Sequence, residues 1–277
     1  MLGAIIGDIV GSRFEFVEDG IRPKDFALFH SSCRPTDDSF MTLAVAEALL
    51  LSNGDQERLG EQAISSMKKI AHRYPNTGWG ERFHRWLFKD IYTKPYNSFG
   101  NGAGMRISPV GWVAESEEEV KILSRIVTEI SHDHPEGIKG AEAIAMAVYL
   151  ARIGKDKEQI RAKMQEYYYK LKDPLFTIKN IHGKYGYDED GNWVTCQGSI
   201  PQAIIAFLDS DSFEDAIRNA ICIGGDSDTI GAMTGSIAEA YYGVPYDIED
   251  KALSYLSEDL LGIYYAFETI KKKRIRK

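Results

Sequence analysis

The chain is short of positive charge. Its 33 lysines and arginines face 41 aspartates and glutamates, for a formal net charge of −8. That balance excludes a broad basic face for sequence-independent capture of nucleic acid. Cysteine is scarce too. Cys33, Cys196 and Cys222 are odd in number and far apart, which excludes a disulfide scaffold and the close pairing of a zinc site and fits reduced thiols. No apolar run approaches the length that spans a bilayer. No Pro/Gly/Ser-rich stretch, low-complexity segment or fixed-period repeat divides the sequence, so residues 1–277 are expected to form one domain with a full core. The apolar start, Met1 to Gly7, has no basic residues in front and breaks at Asp8, unlike a signal peptide. A cytoplasmic monomer with no membrane partner is expected. The one dense run of cations, Lys271-Lys272-Lys273-Arg274-Ile275-Arg276-Lys277, closes a helical pattern, where it suits the helix dipole and water.

What is present is mostly helical period. Apolar positions recur at helical spacing over Ser39–Leu51, Gln56–Arg73, Glu81–Lys89, Glu117–Ile130, Glu136–Ile153 and Asp156–Leu171. Helices resume over Ser199–Leu208, Phe213–Ile223, Ile230–Tyr242 and Lys251–Lys271. Tyr185-Gly186-Tyr187, Asp190-Gly191-Asn192 and Trp193-Val194-Thr195 predict one small β-hairpin, an insertion and not a sheet core. The fold class is therefore all-α. Gly3, Gly7 and Gly11 fit no G-x-G-x-x-G phosphate loop, and their spacing of four predicts close helix packing. Gly231, Ala232, Gly235 and Ala238 give another helix the same property.

Two acidic clusters stand before helical patterns. Gly224-Gly225-Asp226-Ser227-Asp228-Thr229 places three hard oxygen ligands within four residues, although Asp and Thr are also ordinary helix caps. Thr36-Asp37-Asp38 repeats the pattern, and four carboxylates converge if the fold joins the two helix starts. A donor set made only of oxygen favours Mg2+ or Mn2+ over zinc or copper. Six such groups exceed what one Mg2+ usually takes from protein, and two ions about 3.5–4 Å apart would account for the surplus. Glu15 lies between Phe14 and Phe16, where apolar neighbours would keep a carboxyl near neutral and useful for proton transfer, unless it is simply a surface residue between two core aromatics.

The loop Phe99-Gly100-Asn101-Gly102-Ala103-Gly104 offers successive backbone N–H groups suited to a diphosphate, with an aromatic ring at hand to stack on a base. A glycine-rich turn without a ligand is the alternative. His132 and His134, two residues apart, have no usual zinc spacing, and one of them bordering a polar site is the better reading.

These motifs, in this order, resemble the ADP-ribosylglycohydrolase family, the ADP-ribosyl-acceptor hydrolases that include the dinitrogenase reductase-activating glycohydrolase. The likeness rests on Gly3 to Glu15, Thr36-Asp37-Asp38, Ser98 to Arg106, Ser131-His132 and Gly225-Asp226-Ser227-Asp228-Thr229, and spans most of the chain. It implies an all-helical fold with a two-metal centre, Mg2+ or Mn2+, held by Thr36, Asp37, Asp38, Asp226, Asp228 and Thr229. It also implies that Glu15, Asp37 and Asp228 serve catalysis. Ser98, Phe99, Gly100, Asn101 and Gly102 match the loop that holds the diphosphate and stacks on adenine, and His132 matches a histidine near the distal ribose. Two departures stand out: Ser131 replaces the family's threonine, and Gly78-Trp79-Gly80 only loosely matches a glycine-containing substrate loop that would bring Gly80 to the ligand.

The implied activity is hydrolysis of the N- or O-glycosidic bond between ADP-ribose and a modified protein or peptide side chain, with ADP-ribose as product. Small O-linked ADP-ribose derivatives or ADP-ribosylated nucleic acid are alternative substrates, the second disfavoured by net acidity. A non-catalytic ADP-ribose-binding module is the alternative of another class, and the joint presence of six metal-type ligands and Glu15 speaks against it.

Overall fold

Glycines set the centre of the molecule. In a computed structural model that describes residues 1–15, 24–89, 94–171 and 194–275, helix α1 (Leu2–Gly11) is buried along its whole length. It packs most extensively on a late helix, α12 (Ser227–Tyr242). A Cβ on Gly3 would collide with the carbonyl of Gly235, one on Gly7 with that of Gly231, and one on Gly11 with the backbone of Asp228. Rising numbers on α1 thus meet falling numbers on α12, so the pair is antiparallel and the end of α1 lies beside the start of α12. Only glycine permits that approach, and the spacing of four follows from the turn of the helix.

Around this pair the chain lays helices joined by short connections. They are α2 (Asp37–Ser52), α3 (Gln56–Arg73), α4 (Glu81–Phe88), α5 (Gly102–Met105), α6 (Ser108–Val113), α7 (Glu117–Glu129), α8 (Pro135–Arg152) and α9 (Lys157–Tyr167). After residues 172–193 come α10 (Cys196–Leu208), α11 (Phe213–Ile223), α12, α13 (Tyr246–Leu253) and α14 (Glu258–Ile275). Side-chain caps explain several starts. Asp55, Ser116, Thr195 and Ser212 accept from the first free N–H groups of α3, α7, α10 and α11, and Asp156 with Gln159 forms a reciprocal capping box on α9. The apolar faces of these helices form one contiguous buried cluster running from Met1 to Phe267. Cys33, Cys196 and Cys222 are buried and form no disulfide among the described residues.

The all-α reading holds, with no sheet among the described residues. An isolated antiparallel bridge joins Gly100 to Thr195. The predicted hairpin falls mostly outside the described residues; of its members, Val194 and Thr195 are described. Among the described residues no helix is long and apolar enough to cross a membrane. The single helix predicted over Lys251–Lys271 is two helices. The chain turns at Ser254–Ser257, where the Tyr74 hydroxyl meets Ser257 Oγ (2.6 Å) and Asp259 Oδ1 (2.8 Å), and Ser257 Oγ also donates to Asp259. These polar contacts restart the helix at Glu258. Helix α10 begins at Cys196 rather than Ser199, and α9 ends at Tyr167 rather than Leu171. The short, wholly buried α6 carries no amphipathic period to announce it.

Candidate active site

Asp8 draws the first acidic cluster to the end of α1. It is the one carboxylate in that apolar helix, and it is fully buried. Its Oδ2 accepts from the backbone N–H of Thr36 (2.9 Å) and Ser39 (3.0 Å) and from the Ser39 hydroxyl, while Oδ1 accepts from Thr36 Oγ1 (2.6 Å). Thr36 itself makes no cap bond to α2, so Asp8 caps that helix from a distant element. Since α1 also delivers the start of α12, both helix starts reach one point. Thr229 Oγ1 stands 3.3 Å from Asp38 Oδ2, and Thr36 Oγ1 lies 3.4 Å from the same oxygen.

Two overlapping sets of carboxylate oxygens result. One oxygen each from Asp8, Asp38 and Asp228 lie within 4.8 Å of one another, and so do oxygens from Glu15, Asp226 and Asp228. Asp228 is common to both. Asp8 already accepts four hydrogen bonds, which makes it the group that orients Thr36 and α2, while Asp38 Oδ1 is buried with no hydrogen-bond partner among the described residues. Packing anions this closely is costly. Burial, then the neighbouring carboxylates Asp8, Asp37 and Asp226, push the Asp38 carboxyl well above its ordinary range; burial, then Asp8 and Asp226, do the same to Asp37, and burial, then Asp226 and Asp38, to Asp228. Asp226 is also raised by burial. An orphaned buried oxygen within a crowded, all-oxygen donor set fits a hard divalent cation. Asp37 belongs to neither triad but lines the same cavity.

The carboxylates form one end of a cavity of about 460 Å³. Glu15 lines it, half-buried, with its carboxyl pushed up to about 7, first by burial and then by Asp226. A bond from Ser227 Oγ to the Phe14 carbonyl (3.3 Å) fastens this segment to the start of α12. The other end is cationic and aromatic, with Arg82, Phe83, Tyr96, Arg106 and His132 in the wall. Gly80, which precedes α4, lines the cavity as well, and a Cβ on Gly78 would sit 3.8 Å from Asp37 Oδ1. Trp79 turns inward and bonds to the Tyr74 carbonyl (3.2 Å).

The glycine-rich loop reaches the cavity with Ser98, Gly100, Asn101 and Gly102. The predicted row of free N–H groups is corrected by the structure. Gly100 N–H donates to Ser98 Oγ (3.2 Å), Asn101 N–H to the Val194 carbonyl (2.9 Å), Ala103 N–H to the Gly100 carbonyl (3.2 Å), and the N–H groups of Gly104 and Met105 to the Asn101 carbonyl. The cause is that α5 starts inside the loop and the segment at 194–196 pairs with it. Asn101 Nδ2 donates to Asp226 Oδ2 (2.6 Å), which ties the loop to the carboxylate end. Phe99 does not line the cavity. It is 38% exposed and rests against His134, with ring centroids 5.0 Å apart, so any stacking on a base takes place at the rim. His134 caps α8 through Nδ1, and only His132 of the histidine pair enters the wall.

Sequence reasoning assigned no role to Asp8, Arg106, Tyr96 or Phe83. A lone carboxylate inside an apolar helix was the available signal for Asp8. Arg106 closes the Ser98–Arg106 motif, and nothing in its neighbours along the chain points to a role.

Comparison with known proteins agrees with the geometry. The family model described as ADP-ribosylglycohydrolase matches residues 1–272. Human "ADP-ribosylhydrolase ARH3" is 25% identical over 328 residues, covering 95% of this chain and 90% of that protein. The "ADP-ribosyl-[dinitrogen reductase] glycohydrolase" of Rhodospirillum rubrum is 25% identical over 262 residues, covering 88% and 84%. A solved structure titled "ADP-ribosylglycohydrolase-related protein complex" superposes with a TM-score of 0.68 at 23% identity, covering 98% of this chain and 97% of that one, which shows a common fold.

Proposed function

The chain belongs to the ADP-ribosylglycohydrolase family, and from that premise we propose that it removes ADP-ribose from a modified protein side chain with the help of two divalent cations. Membership makes it a glycosidase acting on ADP-ribose linkages. Metal dependence and the protein-bound substrate are our own reading, and the observation that carries it is the meeting of two helix starts in overlapping carboxylate triads that share Asp228. Thr36, Asp37, Asp38, Asp226, Asp228 and Thr229 would hold the ions, Mg2+ by the hardness of the oxygen set, with Mn2+ able to replace it. When bound, the cations would supply Lewis-acid polarisation and a template for the vicinal hydroxyls of the distal ribose.

The protein's own groups do the rest. Glu15, with a carboxyl near 7 at the cavity wall, is suited to take a proton from the attacking water or return one to the leaving group. Asn101 holds Asp226 in place, while Ser98, Gly100, Gly102 and Gly80 shape the wall along which the diphosphate and the acceptor would lie. Phe99 at the rim would meet the adenine. Binding energy from those remote parts would position the anomeric carbon. In this proposal residues 1–277 act as one domain. The test is a mass-spectrometric release assay on arginine-linked and serine-linked ADP-ribosyl peptides in parallel, with Mg2+. Release from either supports the proposal and assigns the acceptor; tight ADP-ribose binding with no release from a broad acceptor panel refutes it.

A further inference from the structure

One buried cation in the cavity wall makes no ion pair among the described residues. Arg106 is fully buried, its guanidinium carbon 5.1 Å from the centre of the Phe83 ring, and its Nε and Nη1 have no hydrogen-bond partner among the described residues. The lost hydration of those N–H groups is a cost that packing alone does not explain. Its remaining nitrogen is directed at one place. Nη2 donates to Ser131 Oγ (2.8 Å) and approaches His132 Nδ1 (3.3 Å), and Ser131 Oγ lies 2.8 Å from the same Nδ1.

One proton assignment makes hydrogen bonds of all three contacts. Arginine can only donate, so Ser131 Oγ accepts from it and keeps its own proton to give to Nδ1. His132 Nδ1 is then an acceptor from two sides, and the ring proton sits on Nε2. That nitrogen faces the glycine-rich loop, since a Cβ on Gly100 or Gly102 would come within 3.6 Å or 3.5 Å of it, and no described group accepts from it. We infer that Arg106, acting through Ser131, is a positioning residue that holds His132 as a neutral Nε2–H donor aimed at the part of the cavity beside residues 100–102. This deepens the proposed function and rests on it for the ligand: the donor would meet an oxygen of the ADP-ribose lying along that loop.

The surroundings agree. The charged and titratable groups facing the ring are Arg106 after α5, Arg82 on α4 and Tyr96 before the loop, with Ser131 beside it. Burial first, then Arg106 and Arg82, push the imidazole well below its ordinary range, so it stays neutral at physiological pH. Arg106 itself is lowered by burial only to about 10 and stays charged.

Nitrogen-15 NMR of histidine-labelled protein reads the tautomer directly and needs neither metal nor substrate. In the wild type, His132 should show an unprotonated Nδ1 and a protonated Nε2 at pH 7, with no titration through the ordinary histidine range. Arg106→Met should let the ring titrate nearer its ordinary value, and Ser131→Ala should show a smaller change in the same direction. A wild-type His132 that is protonated on Nδ1 at pH 7 overturns the inference even if Arg106→Met fails to fold, and so does an Arg106→Met protein whose His132 is unchanged. Calorimetry then tests the ligand role. ADP-ribose should bind about tenfold more weakly to Arg106→Met and to His132→Ala, with no further loss in the double variant. Additive losses overturn the coupling. A wild type that binds no ADP-ribose at all overturns the reading of the cavity and the ligand-directed role with it, while the tautomer measurement still decides the lock.

Discussion

Gly231→Ala tests the packing that brings the two acidic clusters together. Built on the present backbone, the new Cβ would lie 2.6 Å from the Gly7 carbonyl oxygen, 3.0 Å from its carbon and 3.3 Å from its Cα. Ordinary contact begins near 3.4 Å, so α1 and α12 would have to part by about 0.8 Å. The obstacle is helix backbone with no rotamer to yield, which places the strain near the top of the usual range for overpacking, about 3 kcal/mol. Alanine's better helix propensity returns up to ~1 kcal/mol. A net loss of about 2 kcal/mol should lower the melting temperature by about 4–8 °C. Because Asp228 lies one turn from Gly231, the shift should also weaken Mg2+ binding, an ion that demands near-ideal geometry. The control is Gly262→Ala in α14, where a Cβ meets nothing within 4 Å and the same change should stabilise by roughly 0.5–1 kcal/mol. Thermal denaturation with and without Mg2+ reads both effects. A Gly231→Ala protein that melts at or above the wild type refutes the reasoning.

Three further outcomes follow from the same geometry. Asp8→Ala removes the acceptor that orients Thr36 and Ser39 and should weaken Mg2+ binding by about 10- to 100-fold in calorimetry; an unchanged affinity would show that the start of α2 orders itself. Asp37, Asp38 and Asp228 are raised well above their ordinary values and Glu15 to about 7, so the metal-free folded state binds protons that the unfolded chain has released. Its stability should therefore fall as pH rises from about 4 to 7, and saturating Mg2+ should flatten the trend; a metal-free melting temperature that rises across this window would contradict the carboxylate crowding. Glu239, held at about 2 by Lys271 and the Met1 amine against its own burial, contributes stability that is present above the ordinary carboxylate pKa and lost as pH falls towards 2. Glu239→Gln should cost about 3 kcal/mol, and a loss below roughly 0.5 kcal/mol in chemical denaturation would show that the buried pair contributes little.

Much of this architecture was legible because it depends on repeated local signals. Helical period marked most of the helices, and small residues at spacing four marked two segments as close-packing helices, though not that each is the other's partner. The acidic clusters were legible as ligand types, but their meeting was not, since it depends on Asp8 bonding residues 28 and 31 positions away in the chain. The break at Ser254–Ser257 was hidden for a similar reason, as Tyr74 comes from a different part of the sequence. In the glycine-rich loop, residue types suggested free N–H groups, whereas the fold supplies acceptors from Val194 and from the first turn of α5. Arg106 could not be placed from its sequence neighbours because its partners, Phe83, Ser131 and His132, lie on two other segments.

The central claim is that cations held between the two helix starts are needed to free ADP-ribose. The direct measurement is ADP-ribose release from the better of the two ADP-ribosyl peptides, followed before chelation, after exhaustive chelation and after Mg2+ is restored, for the wild type and for Asp228→Asn with its helical circular dichroism checked. The account predicts release that disappears on chelation, returns with Mg2+, and is nearly absent in the folded Asp228→Asn protein throughout. Undiminished release after chelation, or full activity of Asp228→Asn, would contradict it.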